Sequence, residues 1–221
     1  MIVVVGLEFE ARIAAGPGMQ VICSGDGRQL ATALSRAITD DCRGLVSFGV
    51  AGGLAPELQP GDCVVGSAVL SGSTRLEMDR HWSQKLLATI PEAICGTLLG
   101  VSAPVADPKT KRTLYLQTGA MAVDMESHVV AQVAAGHGLP AAAIRVITDP
   151  AMRALPEAAL IAMRPNGTTD IAAMLRFVMR RPRQMAALFR TALDARAARA
   201  TLMRGRQLLG PGLGLPHLQR A

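Results

Sequence analysis

The chain has 221 residues and a mass of 23.1 kDa; half of its positions are apolar and 18% are charged. That balance excludes a disordered, self-repelling polypeptide and supplies enough apolar side chain for one sizeable core. The net charge of +6 suggests an anionic partner, but one Trp, one Tyr and four Phe make a poor base-stacking surface and argue against nucleic acid.

Ile2–Val5 reads as a buried opening strand, and no basic residue precedes it, so no secretory leader is expected. Val21–Cys23 reads as a second strand, ending at Ser24-Gly25-Asp26-Gly27. Gln29–Ile38 has helical spacing through Leu30, Ala33, Leu34, Ala37 and Ile38. Leu45–Phe48 is a third strand, ending in Gly49-Val50-Ala51-Gly52-Gly53. Cys63–Val65 follows the turn Pro60-Gly61-Asp62, and Ala93–Val101 fits strand or helix. Ala120–Met125 reads as a strand, Glu126–Gly136 as a helix, and Ala141–Ile147 as a strand that is apolar except for Arg145. Short runs apolar on both faces, alternating with helices, predict an α/β fold. The expected form is a three-layer α/β/α sandwich around a mixed, largely parallel sheet. One domain spans 1–206, with basic helices over about 168–206 that Pro182 divides, and 207–221 forms a flexible tail. Ten arginines and two aspartates between Arg164 and Arg206 give that segment +8 and leave −2 for the rest. Such a segment is a solvated helix face, a surface for anionic lipid headgroups, or a nucleic-acid contact. The longest uncharged stretch, Ala93–Ala106, is too short to span a bilayer.

Cys23, Cys42, Cys63 and Cys95 form no CxxC pair and fit a reducing cytoplasm. His81, His128, His137 and His217 lack the spacing of metal ligands and read as surface or internally satisfied residues, so no metal is expected. No Walker A sequence occurs. Gly25-Asp26-Gly27 lacks the third glycine of a dinucleotide fingerprint, and Pro104 stands where a nucleophile elbow needs glycine. What remains is a set of acids at strand ends: Glu8 and Glu10, Asp124 and Glu126, and Asp149. Strand ends form the usual ligand crevice of an α/β sheet, and burying several carboxylates there is costly without a purpose. The plainer alternative is that they cap helices or face solvent.

Phe48-Gly49-Val50-Ala51-Gly52-Gly53-Leu54, followed by Leu58-Gln59-Pro60-Gly61-Asp62-Cys63-Val64-Val65, resembles a signature of the nucleoside phosphorylase and nucleosidase superfamily. Ala122-Val123-Asp124-Met125-Glu126-Ser127 is similar to its sugar-binding strand, and Arg145-Val146-Ile147-Thr148-Asp149 to its base-binding strand. The motifs occur in family order over roughly residues 1–150. The short middle, the segment Thr148–Pro156 and the arginine-rich C-terminal region resemble the hopanoid-associated phosphorylases, which release adenine from adenosylhopane.

The resemblance implies a set of roles. Asp149 would bind adenine N7 and the 6-amino group and act as general acid, kept protonated by burial. Glu126 would stay ionised, accept from the ribose hydroxyls and face the developing sugar cation. Met125 would pack beneath the sugar. Val50, Ala51, Gly52, Asp124, Thr148 and Val105 would line the substrate site. Arg145 would orient the acids or hold a structural ion pair. Glu10 would activate water, with Glu8 as the alternative. Val50 and Ser47 stand where phosphorylases place a serine and an arginine on phosphate, which favours hydrolysis. Gly25, Gly27 and Arg28 remain as a phosphate site for the phosphorolytic version. No cofactor is implied. The partners implied are a lipid-nucleoside, inorganic phosphate if cleavage is phosphorolytic, a second copy of the chain, and an anionic membrane surface. The other readings are a nucleosidase for soluble 5′-substituted adenosines and a non-catalytic lipid-binding module.

Overall fold

The structure is a computed structural model that describes residues 1–162, 177 and 185–215. In chain order it contains β1 (Ile2–Val5), α1 (Glu8–Ala14), β2 (Gln20–Cys23), α2 (Gly27–Ala37), β3 (Leu45–Gly53), β4 (Cys63–Ser71) and β5 (Thr74–Glu77). Then follow α3 (Arg80–Thr89), β6 (Ile94–Gly100), α4 (Pro108–Thr118), β7 (Ala122–Asp124), α5 (Ser127–Gly136), β8 (Ala141–Asp149), α6 (Glu157–Ala162) and α7 (Met185–Leu209).

The eight strands form one mixed sheet. β1 pairs in parallel with β2 and β3, and β3 in parallel with β8. β4 runs parallel to β6 and antiparallel to β5 and β8. β7 runs parallel to β6 and antiparallel to β3. The pairings β3–β8–β4–β6–β7–β3 close a ring, so the middle of the sheet curls on itself and β1, β2 and β5 lie outside it.

The run of consecutive apolar residues in each central strand reflects cores on both faces. Ile2 and Val4 of β1 enter one core with Leu30 and Leu34 of α2 and Val129 and Val130 of α5. Val3 and Val5 point the other way, into a core with Trp82 and Leu86 of α3 and Ala198 and Leu202 of α7. β8 alternates likewise, with Ala143 and Ile147 on the first face and Ile144 and Val146 on the second. The expected mixed, largely parallel sheet between helical layers is what the chain forms.

Three elements differ from the sequence reading. Ala93–Val101 resolves as a strand because β6 fills the gap between β4 and β7. β3 runs on through its glycines to Gly53, since the lack of side chains lets buried carboxylates approach it. The expected flexible tail is packed up to Leu215. Leu213 is fully buried beside Leu209, and its carbonyl accepts from the Trp82 indole N–H at 2.9 Å. The basic helix over Met185–Leu209 carries Arg190, Arg196, Arg199, Arg204 and Arg206. Arg164, Arg176, Arg180, Arg181, Arg183 and the break at Pro182 lie outside the described residues.

Candidate active site

Glu10 enters through a helix start. α1 begins directly after β1, and Glu10 in its first turn folds back so that Oε2 accepts from the N–H groups of Gly6 and Leu7, both at 2.9 Å. That is ordinary capping. The other oxygen does something further: Oε1 accepts from Val50 N–H at 2.7 Å, forty residues away on β3. The contact is possible because position 49 is glycine; a Cβ there would lie 2.5 Å from Glu10 Oε1. Glu10 is 1% exposed. Burial pushes its carboxyl up, opposed by the Arg145 charge and the three N–H groups, which moves it toward the range of a general base. Glu8, the alternative, is exposed and ion-paired with Arg12 on the same helix.

Arg145 is fully buried at the centre of β8, opposite Gly49. Its guanidinium is 3.2 Å from both Asp124 Oδ1 and Glu126 Oε2, and it donates to the hydroxyls of Ser47 and Ser127. Its positive charge also reaches Glu10. Asp124 ends β7 and accepts from the N–H groups of Glu126 and Ser127, which turns the chain into α5. Glu126 lies against Gly6, where a Cβ would meet its Oε1 at 2.6 Å. Glu10, Asp124 and Glu126 therefore share one cation.

The Glu126 carboxyl is pushed up to about 8 by burial, against Arg145, with Asp124 and Glu10 raising it further. A sugar cation forming beside this carboxyl would favour its ionised form. One buried guanidinium thus holds Asp124 and Glu126 by ion pairs and acts on Glu10 through its charge.

Asp149 ends β8 and is 7% exposed. A bulge precedes it: Ala51 pairs with Ile147, but Gly52 pairs with Asp149, so Thr148 is the extra residue that re-aims the acid. A Cβ at Gly52 would lie 3.0 Å from Asp149 Oδ2 and 3.3 Å from Val123. The Thr148 hydroxyl donates to Asp149 Oδ1 at 2.8 Å. Burial pushes Asp149 up; Lys111 and the Thr148 hydroxyl oppose the shift. Along β3, Asp149 stands at Gly52 and the Glu10–Arg145 cluster at Gly49 and Val50. Two to three residues of β3, about 7–10 Å of backbone, separate these positions.

Of the remaining sequence candidates, Val50, Ala51 and Gly52 line β3 between the two acid groups. Met125 is half-buried between Asp124 and Glu126. Val105 packs on Leu54, Leu99 and Val123 in the loop before α4. Gly25, Gly27 and Arg28 lie at the start of α2, but Asp26 already caps that helix, accepting from the N–H groups of Arg28 and Gln29. Among the described residues no group of three metal-ligating side chains occurs.

Two residues escaped the sequence reading. Lys111 of α4 is fully buried and its Nζ is 2.6 Å from Asp149 Oδ2. His128 of α5 is half-buried, and among the described residues its Nδ1 has no hydrogen-bond partner, nor has Asp124 Oδ2. The signal for α4 was present in Asp107, Pro108 and Gly119, which supply an N-cap, a first-turn proline and a left-handed C-cap. Nothing in Lys109-Thr110-Lys111-Arg112 marks which cation turns inward.

Comparison with known proteins gives one family and many folds of the same kind. The chain superposes on 5′-methylthioadenosine/S-adenosylhomocysteine nucleosidase from Neisseria meningitidis in complex with methylthio-immucillin-A, with a TM-score of 0.64 at 17% identity, covering 93% of this chain and 96% of that one. Futalosine hydrolase of Helicobacter pylori gives 0.63 at 15% identity, covering 93% and 96%. The Helicobacter pylori 5′-methylthioadenosine/S-adenosylhomocysteine nucleosidase gives 0.61 at 14%, covering 93% and 97%. These likenesses show the fold. A search of curated proteins finds no match. The profile of the phosphorylase superfamily matches residues 5–180, which include Glu10, Glu126, Arg145 and Asp149, and the chain belongs to that superfamily.

Proposed function

We propose that the protein hydrolyses the N-glycosidic bond of an adenine nucleoside, and that its substrate is adenosylhopane, giving adenine and ribosylhopane. The observation that carries hydrolysis is the Glu10 carboxylate, buried and held on Val50 N–H, two residues along β3 from Gly52, the strand partner of Asp149. A water placed between Glu10 and the sugar would lose its proton to Glu10 as its oxygen bonds to C1′. The C1′–N9 pair leaves with the purine, which takes a proton from Asp149. Glu126 and Asp124 face the cationic sugar. A phosphate dianion at the same place would meet carboxylates. Val50 N–H is taken by Glu10, Arg145 by Asp124 and Glu126, and the amides of Arg28 and Gln29 by Asp26. Asp124 Oδ2 and His128 Nδ1, without a partner among the described residues, are left for the substrate.

Glu10→Gln is expected to lower kcat for adenine release about 10²–10⁴-fold with little change in KM. Chromatographic assay of adenine with and without phosphate checks this; wild-type kcat in the variant, or a rate proportional to phosphate, contradicts the hydrolytic reading.

The lipid substrate rests on the hopanoid-type motifs and on α7. Met185, Phe189 and Leu193 are exposed at four-residue spacing on its first half, with Arg190, Arg196 and Arg199 around them, while its second half packs on the sheet through Ala198 and Leu202. Arg206 is committed elsewhere, donating to the carbonyls of Ala14 and Gly210. Apolar side chains ringed by arginines suit an anionic membrane surface, at about 1 kcal/mol per basic residue. Among the described residues no helix is long and apolar enough to cross a membrane. The protein is expected to float with phosphatidylglycerol vesicles at low salt and to detach at high salt; no flotation at low salt contradicts the membrane role. A second reading, cleavage of a soluble 5′-substituted adenosine, is favoured by fold likeness to the two 5′-methylthioadenosine/S-adenosylhomocysteine nucleosidases. Faster release from methylthioadenosine than from adenosylhopane would establish it.

A further inference from the structure

Lys111 has no solvent contact and four hydrogen-bond acceptors around its Nζ: Asp149 Oδ2 at 2.6 Å, and the carbonyls of Asp149, Pro150 and Arg153 at 3.1, 3.2 and 3.3 Å. An ammonium has three protons to give and no lone pair. A neutral amine would turn a lone pair on one of these oxygens, so this cage selects the charged form. Both Asp149 oxygens are also acceptors, Oδ2 from Lys111 and Oδ1 from the Thr148 hydroxyl. These contacts fit an ammonium on Lys111 beside a carboxylate on Asp149. A carboxylate facing adenine N7 repels its lone pair and has no proton to give.

We propose that Lys111 is the proton source for the leaving purine, acting through Asp149. The inference rests on the reading of Asp149 as the acid. As the C1′–N9 bond breaks, its electron pair passes into the purine ring and raises the basicity of N7. N7 takes a proton from Asp149, and Asp149 takes one from Lys111 across the 2.6 Å contact. The ammonium becomes an amine, the purine leaves with N7–H, and solvent returns one proton to the pair after the purine departs. Water supplies the nucleophile and its own proton goes to Glu10, so charge and atoms balance. Burial supports the middle step, because it raises the proton affinity of Asp149. Lys111 touches no substrate; it is a positioning residue that also loads its neighbour.

Among the described residues, Lys111 is the charged group that acts on the Asp149 carboxyl, and the nearby Arg153 guanidinium is ion-paired with Asp194 of α7. A distinctive pH dependence follows. With Lys111 as the source, the wild-type rate persists on the alkaline side, where that of a lone carboxyl has fallen. In Lys111→Gln, Asp149 must take its proton from bulk water, so activity survives only on the acid side. The expected loss is about 10²-fold at pH 8, returning to within about tenfold of wild type near pH 5.5. Recovery at acid pH also shows that the variant is folded, and a purely structural role would lower the rate equally at both values. The assay uses the full chain and whichever of adenosylhopane, methylthioadenosine and S-adenosylhomocysteine it cleaves fastest. Lys111→Met is the second variant. A wild-type rate that collapses above neutrality overturns the proposal without any variant. A basic limb that moves upward in Lys111→Gln overturns it too, because that is the result if Lys111 merely lowers the acid. Asp149→Asn separates the two readings. If it abolishes release while Lys111→Gln matches wild type, only the relay fails; if Asp149→Asn is fully active, the assignment of Asp149 fails.

Discussion

Replacing Asp149 by Asn is expected to slow adenine release about 10²–10⁴-fold while leaving the protein folded. The amide has the size of the carboxylate and can still accept from Lys111 or Thr148, but it has no transferable proton. The remaining contacts of Lys111, three backbone carbonyls, persist. Asp149→Ala is a poorer test, since it strands a buried ammonium and confounds catalysis with stability; removing one partner of a buried pair costs about 3–5 kcal/mol. The measurement is kcat and KM for the favoured adenine nucleoside, with a thermal melt beside it. A large fall in kcat at nearly constant KM and Tm is the expected outcome. Wild-type kcat would remove Asp149 from the chemistry.

Arg145→Met is expected to act on stability first. Methionine fits the apolar strand position between Ile144 and Val146, so the loss is electrostatic and not steric. Asp124, Glu126 and Glu10 lose the cation they share. The cost should reach the upper part of the 3–5 kcal/mol range for a broken buried pair. It is also expected to depend on pH in a definite direction. A carboxyl whose folded value is raised, as for Glu126 at about 8, binds more protons folded than unfolded between its ordinary range and that value, so stability falls as pH rises through the window. Without Arg145 the carboxyls rise further and the fall steepens. Denaturant unfolding at pH 5 and pH 8 should therefore show a larger deficit at pH 8. A deficit that is equal at both values would mean that Arg145 does not hold these acids.

The legible parts of the fold were those with local cause. β1, β3 and β8 announce themselves because strands covered on both faces must be apolar at consecutive positions, and α2 because Leu30 and Leu34 repeat at helical spacing. The ring of five strands was not legible, because the pairing of β4 with β8 and of β7 with β3 is long-range and leaves no pattern in either segment. α3 was missed because its buried residues, Trp82, Ser83 and Leu86, are outnumbered by polar ones. The packed tail was missed because Leu213 and Leu215 sit among glycines that signal mobility, while their partner Trp82 lies far back in the chain.

The site shows the same division. Glu10, Glu126, Arg145 and Asp149 sit in contiguous motifs that each end a strand or open a helix, so their types and positions could be read. Their linkage could not. That Glu10 reaches Val50, that Arg145 serves three acids, and that a bulge at Thr148 turns Asp149 toward Lys111 are consequences of register between distant strands.

The central claim is that these acids detach adenine from its ribose with water as the nucleophile. The most direct test incubates the purified chain with adenosylhopane in ¹⁸O-water, with and without phosphate, and analyses the products by mass spectrometry. The account predicts adenine in both cases and ribosylhopane carrying one ¹⁸O at C1′. Absence of adenine, or a sugar product that forms only with phosphate and bears it, would contradict the account.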